Sequence, residues 1–118
     1  MLRELTSHKV NGCNEAIAVS AIDEPGSGGA CHVYQISSEG FCFEIRFQNG
    51  PIKEAGINGL THEALLAVLD DRLVGFQSGP YATADNAEAL EHIRKAMECL
   101  HRRTKERLAR GVEGTHQK

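Results

Sequence analysis

A chain of 118 residues has room for one domain, or for a small sheet with a helical extension, and at this size only about two-thirds of the unfolded surface is buried on folding. Aromatic residues make up 5% of it and Trp is absent, so stability has to come from Leu, Ile, Val and Ala packing, helped by further copies of the chain. A net charge of −3 argues against general DNA binding, and neither the opening MLRELTSHKVNG nor any later stretch approaches the roughly 20 apolar residues a membrane span needs, so a cytosolic protein is expected.

The first half reads as strands. Glu15 to Asp23, Cys31 to Ser37 and Phe41 to Gln48 are short, β-branched or aromatic, and separated by turn residues. The third alternates most clearly, with Phe41, Phe43, Ile45 and Phe47 on one face. PGSGG at 25–29, SSEG at 37–40 and NGP at 49–51 read as hairpin connections, which predicts a small antiparallel meander.

The second half reads as helices. Thr61 is the expected N-cap of a helix carrying Leu65, Leu66, Leu69, Leu73 and Phe76 on a stripe, and GFQSGP at 75–80 ends it. Asp85 with Glu88 suggests a capping box, after which Ala87, Leu90, Ile93, Met97, Leu100, Thr104 and Leu108 recur every three or four residues to about Ala109. Such a helix of about 25 residues is about 37 Å long and outreaches the first, so part of its apolar stripe needs another subunit. The fold class expected is α+β: an N-terminal antiparallel sheet region over 1–60, then a two-helix hairpin over 61–118 that carries oligomerisation and ligand binding.

Familiar chemistry is missing from the pattern. The six histidines form no HxxxH or HExxH spacing, and with Cys and His scattered over different elements no metal site is expected. Nor is there a GxSxG elbow, a P-loop or a GxGxxG, so the chain is not expected to be an enzyme or to need a cofactor. The cysteines at 13, 31, 42 and 99 lack a CxxC pair and are expected to be reduced and mostly buried.

Two segments remain. Residues 54–91 hold seven acidic side chains against Arg72 alone, whereas 94–110 hold seven basic ones against Glu98 and Glu106. Arg103, Arg107 and Arg110 fall on one helix face at i, i+4 and i+7, where guanidinium forks can hold phosphate oxygens, and Gly111, Gly114 and Thr115 follow with flexible backbone and a hydroxyl. Composition leaves open a solvated basic helix end with a glycine C-cap. At the interhelix loop, Phe76 could stack on a purine while Asn86, in the first turn of the long helix, reads its edge or a ribose hydroxyl. A core Phe closing the hairpin is the alternative.

These residues carry a resemblance. The stretch from His62 to His116, with GFQSGP and Asn86, then Arg103-Thr104, then RGVEGT at 110–115, resembles the helical hairpin of the first Thoeris anti-defence sponge family of phages, a hairpin shared with the anti-CBASS cyclic-oligonucleotide sponge. The preceding strands favour the Thoeris branch, because the anti-CBASS sponge is shorter and essentially helical. The resemblance implies a viral protein of the host bacterial cytosol that sequesters cyclic nucleotide second messengers without degrading them. The signals implied are glycocyclic ADP-ribose made by TIR proteins and, at a separate site, cyclic trinucleotides. It further implies a homodimer that can build a hexamer, with no membrane or DNA partner. Carried over by motif, Phe76, Gln77, Gly79, Asn86, Arg103 and Thr104 belong to the cyclic ADP-ribose site, and Arg107, Arg110, Gly111, Val112, Gly114 and Thr115 to the cyclic oligonucleotide site. The competing expectation is a nucleic-acid-binding regulator that lays Arg94 to Arg110 on phosphates, with affinity falling steeply in salt.

Overall fold

The computed structural model describes residues 2–118 and shows the expected α+β class. The described residues divide into two compact units: one comprises residues up to 49 together with 57–60, the other 50–56 and 61–118.

The first unit is an antiparallel meander of β1 (Arg3–Leu5), β2 (Ala18–Ala21), β3 (Val33–Ser38) and β4 (Phe41–Arg46), in that spatial order. Register puts Leu5 opposite Val19, Val19 opposite Ile36, and Ile36 opposite Phe43, so one face is a continuous apolar surface. Its deepest residue is Ala21, with no exposure at all, and Cys31 is the other buried apolar residue of this small core. Tyr34 meets Phe47 edge to face at 5.8 Å. Phe41 and Phe43 stack on each other at 5.3 Å but stay exposed, because β4 is the edge strand.

The three sequence-predicted strands are present but shorter, the second of them shifted to end at Ser38, and β1 is an addition. Its signal lay in Asn11-Gly12: both residues have positive φ, 47° and 82°, and Val10 and Cys13 exchange backbone hydrogen bonds of 3.1 and 2.7 Å across them. That is a two-residue turn which Asn-Gly favours, and it sits on the path from β1 to β2. SSEG makes the tight β3–β4 turn as expected, with Ser38 opposite Phe41. The other two connections differ. PGSGG lies in a long excursion that Asp23 organises by accepting the backbone N–H of His32 at 2.9 Å and of Val33 at 3.1 Å. NGP opens the one-turn helix α1 (Ile52–Ala55) instead of a hairpin, since Pro51 fixes φ at −65° and has no N–H to offer a ladder. The chain then returns to β4's end, where Leu60 donates its N–H to the Arg46 carbonyl and accepts from Gln48, both at 2.8 Å.

The second unit contains α2 (His62–Gln77) and α3 (Ala84–Ala109). Thr61 caps α2 as expected, its hydroxyl accepting from Ala64 N–H at 3.1 Å. The cap of α3 is Thr83 rather than Asp85: the Thr83 hydroxyl accepts the N–H of Asn86 at 3.0 Å. Asp85 stays in the first turn, where its charge complements the helix dipole. The inner stripe of α3 is Asn86, Leu90, Ile93, Met97, Leu100, Thr104 and Arg107, each at least half-buried, at alternating spacings of four and three. Ala87 and Leu108, expected on that stripe, lie exposed beside it, and polar residues take its two ends. On α2, Leu65, Leu66 and Leu73 face inward, while Leu69 and Phe76 are exposed.

No residue of α2 is fully buried. No helix among the described residues is long and apolar enough to cross a membrane. All four cysteines are free, but Cys13, Cys42 and Cys99 are exposed and only Cys31 is buried, which corrects the expectation of mostly buried thiols. So modest a core leaves little buried volume for them.

Candidate functional site

The hairpin loop is held by its own side chains. Gln77 clamps it in both directions, its amide nitrogen donating to the Thr83 carbonyl and its amide oxygen accepting from Thr83 N–H, each at 3.0 Å. Ser78 donates its hydroxyl to the Gly75 carbonyl at 2.8 Å, and Gly79 N–H closes the turn onto the Phe76 carbonyl. Gln77 and Gly79, expected at the ligand, thus also shape the loop that would receive it. Phe76 is 38% exposed and not a core residue. The Arg72 guanidinium lies over its ring at 5.2 Å. With Val68, Asp71 and Gly75, these two line an open concavity of about 500 Å³ on the outer side of α2. Asn86 sits on the inner stripe and is half-buried. Its N–H is taken by Thr83, so it does not add to the free amides of that helix end.

Arg103 and Thr104 do not join this group within one chain. They stand 17 and 18 positions beyond Asn86 on α3, about 25 Å at the helical rise. Arg103 is exposed and Thr104 lies on the inner stripe. A ligand touching Phe76, Asn86 and Arg103 together must therefore draw them from two copies.

At the other end of α3 the segment RGVEGT folds back on the helix. Gly111 and Gly114 adopt φ of 72° and 80°, which a side chain would strain. Arg107 is 7% exposed and reaches four acceptors: Glu113 at 3.0 Å and the carbonyls of Val112 at 2.9 Å, Thr115 at 2.9 Å and Gln117 at 2.7 Å. Thr115 donates its hydroxyl to the Val112 carbonyl and accepts from Gln117 N–H. Arg110 is exposed, pairs with Glu106 at 3.1 Å and also donates to the Lys118 carbonyl. The three arginines share a face, as their spacing requires, but of the three only Arg103 projects without a hydrogen-bond or ion-pair partner among the described residues. The loop docks on α1: Lys53 N–H donates to the Gly114 carbonyl at 2.9 Å, and His116 Nδ1 lies 2.7 Å from Glu54.

The hairpin is stapled by Arg94, whose Nε and Nη2 meet the two Asp70 oxygens at 2.8 and 3.3 Å. The hydrogen bond from Arg94 holds the Asp70 carboxyl below its ordinary value of 3.8, and the His32 amide does the same for Asp23. Both carboxyls have depressed folded-state values, so each adds stability above the unfolded value that is lost as pH falls through the folded one. The expected result is a thermal midpoint that is flat near neutrality and falls below about pH 4, with Asp70→Asn flattening part of that fall. Melts from pH 7 to 2.5 check it, and a mutant curve parallel to the wild type would dismiss Asp70.

Two residues escaped sequence reasoning. Arg72 is four positions before Phe76, a spacing that puts a cation against a ring on one helix face, and this signal was available. Lys53 had none, because it reaches the end segment only through α1.

Comparison with known proteins gives two matches. The protein family described as Acb2/Tad1, hairpin domain, matches residues 43–105. A protein of Bacillus phage SBSphiJ7 named Thoeris anti-defense 1 is 43% identical over 74 residues, 63% of this chain and 52% of the relative. The chain thus spans about half the length of the curated relative it matches. With more than half of the chain matched, from within β4 through α2 to Lys105 of α3, the chain belongs to the Acb2/Tad1 hairpin-domain family, the family of the anti-Thoeris sponges.

Proposed function

We propose that this protein is a phage anti-defence sponge that binds cyclic nucleotide immune signals and holds them unaltered in the host cytosol. Glycocyclic ADP-ribose is taken at the hairpin loop, and a cyclic trinucleotide at the end segment. The observation that carries the reading is Phe76. On the stretch that matches the Acb2/Tad1 hairpin family, an aromatic ring is held exposed beside a cation at a clamped loop. Such a pair offers a π-face for a base and a guanidinium for a pyrophosphate.

Two copies complete the site in this reading. Arg103 of one copy reaches the Phe76 loop of another, and Val68, Leu69, Val74 and Tyr81, all exposed on or beside α2, supply apolar surface for association. Sequestration at nanomolar levels needs about −12 kcal/mol, against roughly 1–3 kcal/mol for one stacked base, so contacts from two chains are required.

The regulator alternative is disfavoured by the charges themselves. Of the seven cations between residues 94 and 110, Arg94, Lys95, Arg107 and Arg110 are each within 4 Å of a carboxylate of the same chain. Few are left to release counterions from a nucleic acid.

The test is to load the protein with each signal, remove free ligand, heat, and identify what is released. Intact ligand is the expected result, and an altered one would replace the sponge with an enzyme. Light scattering on the same sample should give a dimer or larger, whereas a monomer near 12.9 kDa would remove the shared site.

A further inference from the structure

The cations at the end of α3 differ in what surrounds them. The Arg107 guanidinium has five N–H donors and faces a carboxylate and three carbonyls, all on residues 112–117. A phosphate placed there would meet the negative ends of those carbonyls and would have to dismantle the loop to reach the fork. Lys53 is in the opposite position. Its backbone N–H is fixed to the Gly114 carbonyl, and its stem lies on Gly114 so closely that a methyl added there would meet Cγ at 2.9 Å and Cδ at 3.4 Å. The carboxylates nearest to it along α1 and the loop are engaged, Glu54 with His116 and Glu113 with Arg107. Among the described residues the Lys53 ammonium has no ion pair.

We infer that the end segment is an anion site with divided labour: Arg107 is the positioning residue that builds the loop, and Lys53 of α1 is the cation that faces a bound phosphodiester. This rests on the reading of residues 110–115 as the oligonucleotide site. It moves Arg107 out of direct contact and adds a residue from an element far away in sequence. Glycine at 114 follows from the same geometry, since it lets the Lys53 stem cross the loop.

The experiment combines calorimetric titration with cyclic triadenylate and hydrogen exchange at amides 112–117, on wild type, Lys53→Ala, Lys53→Arg and Arg107→Lys. Lys53→Ala should bind about tenfold more weakly or worse, as loss of one charge-assisted contact implies, with unchanged loop exchange. Lys53→Arg should restore most of the affinity. Arg107→Lys keeps the charge but cannot reach four acceptors, so exchange at 112–117 should rise and affinity fall together. Should Arg107→Lys not fold, Glu113→Gln weakens one of the four contacts and should raise the same exchange to a smaller degree. Full affinity in Lys53→Ala, or unchanged exchange in the Arg107 and Glu113 variants, overturns the inference. If the wild type binds no trinucleotide, the oligonucleotide reading fails and Lys53 falls with it, while exchange still decides the role of Arg107.

Discussion

Phe76→Ala is expected to lower affinity for glycocyclic ADP-ribose by about 5- to 150-fold while leaving the protein folded. That range is the free energy of one base–aromatic stack, about 1–3 kcal/mol. Removing a core Phe would instead cost roughly 3–5 kcal/mol of stability, but this ring is 38% exposed and lies under the guanidinium of an arginine four residues back on the same helix. Arg72 should therefore lose its platform with little effect on the melting temperature. Phe76→Trp keeps a π-face and should retain most of the wild-type affinity. Melting, light scattering and calorimetry on the same samples separate the readings. A folded, assembled Phe76→Ala protein with undiminished affinity removes the ring from the site, and a variant that falls apart makes it an interface residue instead.

The largest effect on stability is expected from Gly59→Ala. A methyl at this position would sit 2.4 Å from the Phe47 carbonyl carbon, 2.5 Å from its oxygen and 2.8 Å from the Arg46 oxygen. These are backbone atoms, so no rotamer change relieves the overlap. The strand end must move, and with it the pair of 2.8 Å hydrogen bonds that tie Leu60 to Arg46 and Gln48. Overpacking of this kind costs about 3 kcal/mol, in the upper part of the usual range, or a drop of more than about 10 °C in the melting temperature. Gly28→Ala is the control, because a methyl there meets nothing within 4 Å. Equal melting temperatures for the two variants would show that the Phe47–Leu60 junction yields without cost.

Much of the architecture is carried by local rules that one sequence exposes. Alternation in FCFEIRF sets the faces of β4, and Thr61 announces the start of α2. The three-and-four spacing from Leu90 to Thr104 sets the inner face of α3, because period and capping depend on residues within a turn of each other. The same locality explains the misplacements. Asp85 with Glu88 suggested the start of α3, but the cap falls two residues earlier on Thr83, whose backbone Gln77 holds from the end of the preceding helix. β1 has only three residues and too little pattern of its own, so pairing with β2 had to define it.

The candidate sites divide in the same way. Composition and spacing place Phe76 at the end of a helix beside a Gly- and Pro-rich turn, and RGVEGT at the end of the next, while only the family resemblance points to them as ligand-binding segments. Which arginine turns outward was not legible. Spacing put Arg103, Arg107 and Arg110 on one face, but the loop after the helix closes over Arg107 alone, and that depends on four carbonyl and carboxylate oxygens brought back from residues 112–117. Lys53 is further still from any local signal, since it meets Gly114 across some sixty residues of chain. The sequence by itself determined most of the elements and much of their apolar faces, because propensity, period and capping act within a few residues. Only the tertiary structure decided which cations are enclosed and which remain open to a ligand, because that depends on where distant backbone carbonyls come to rest.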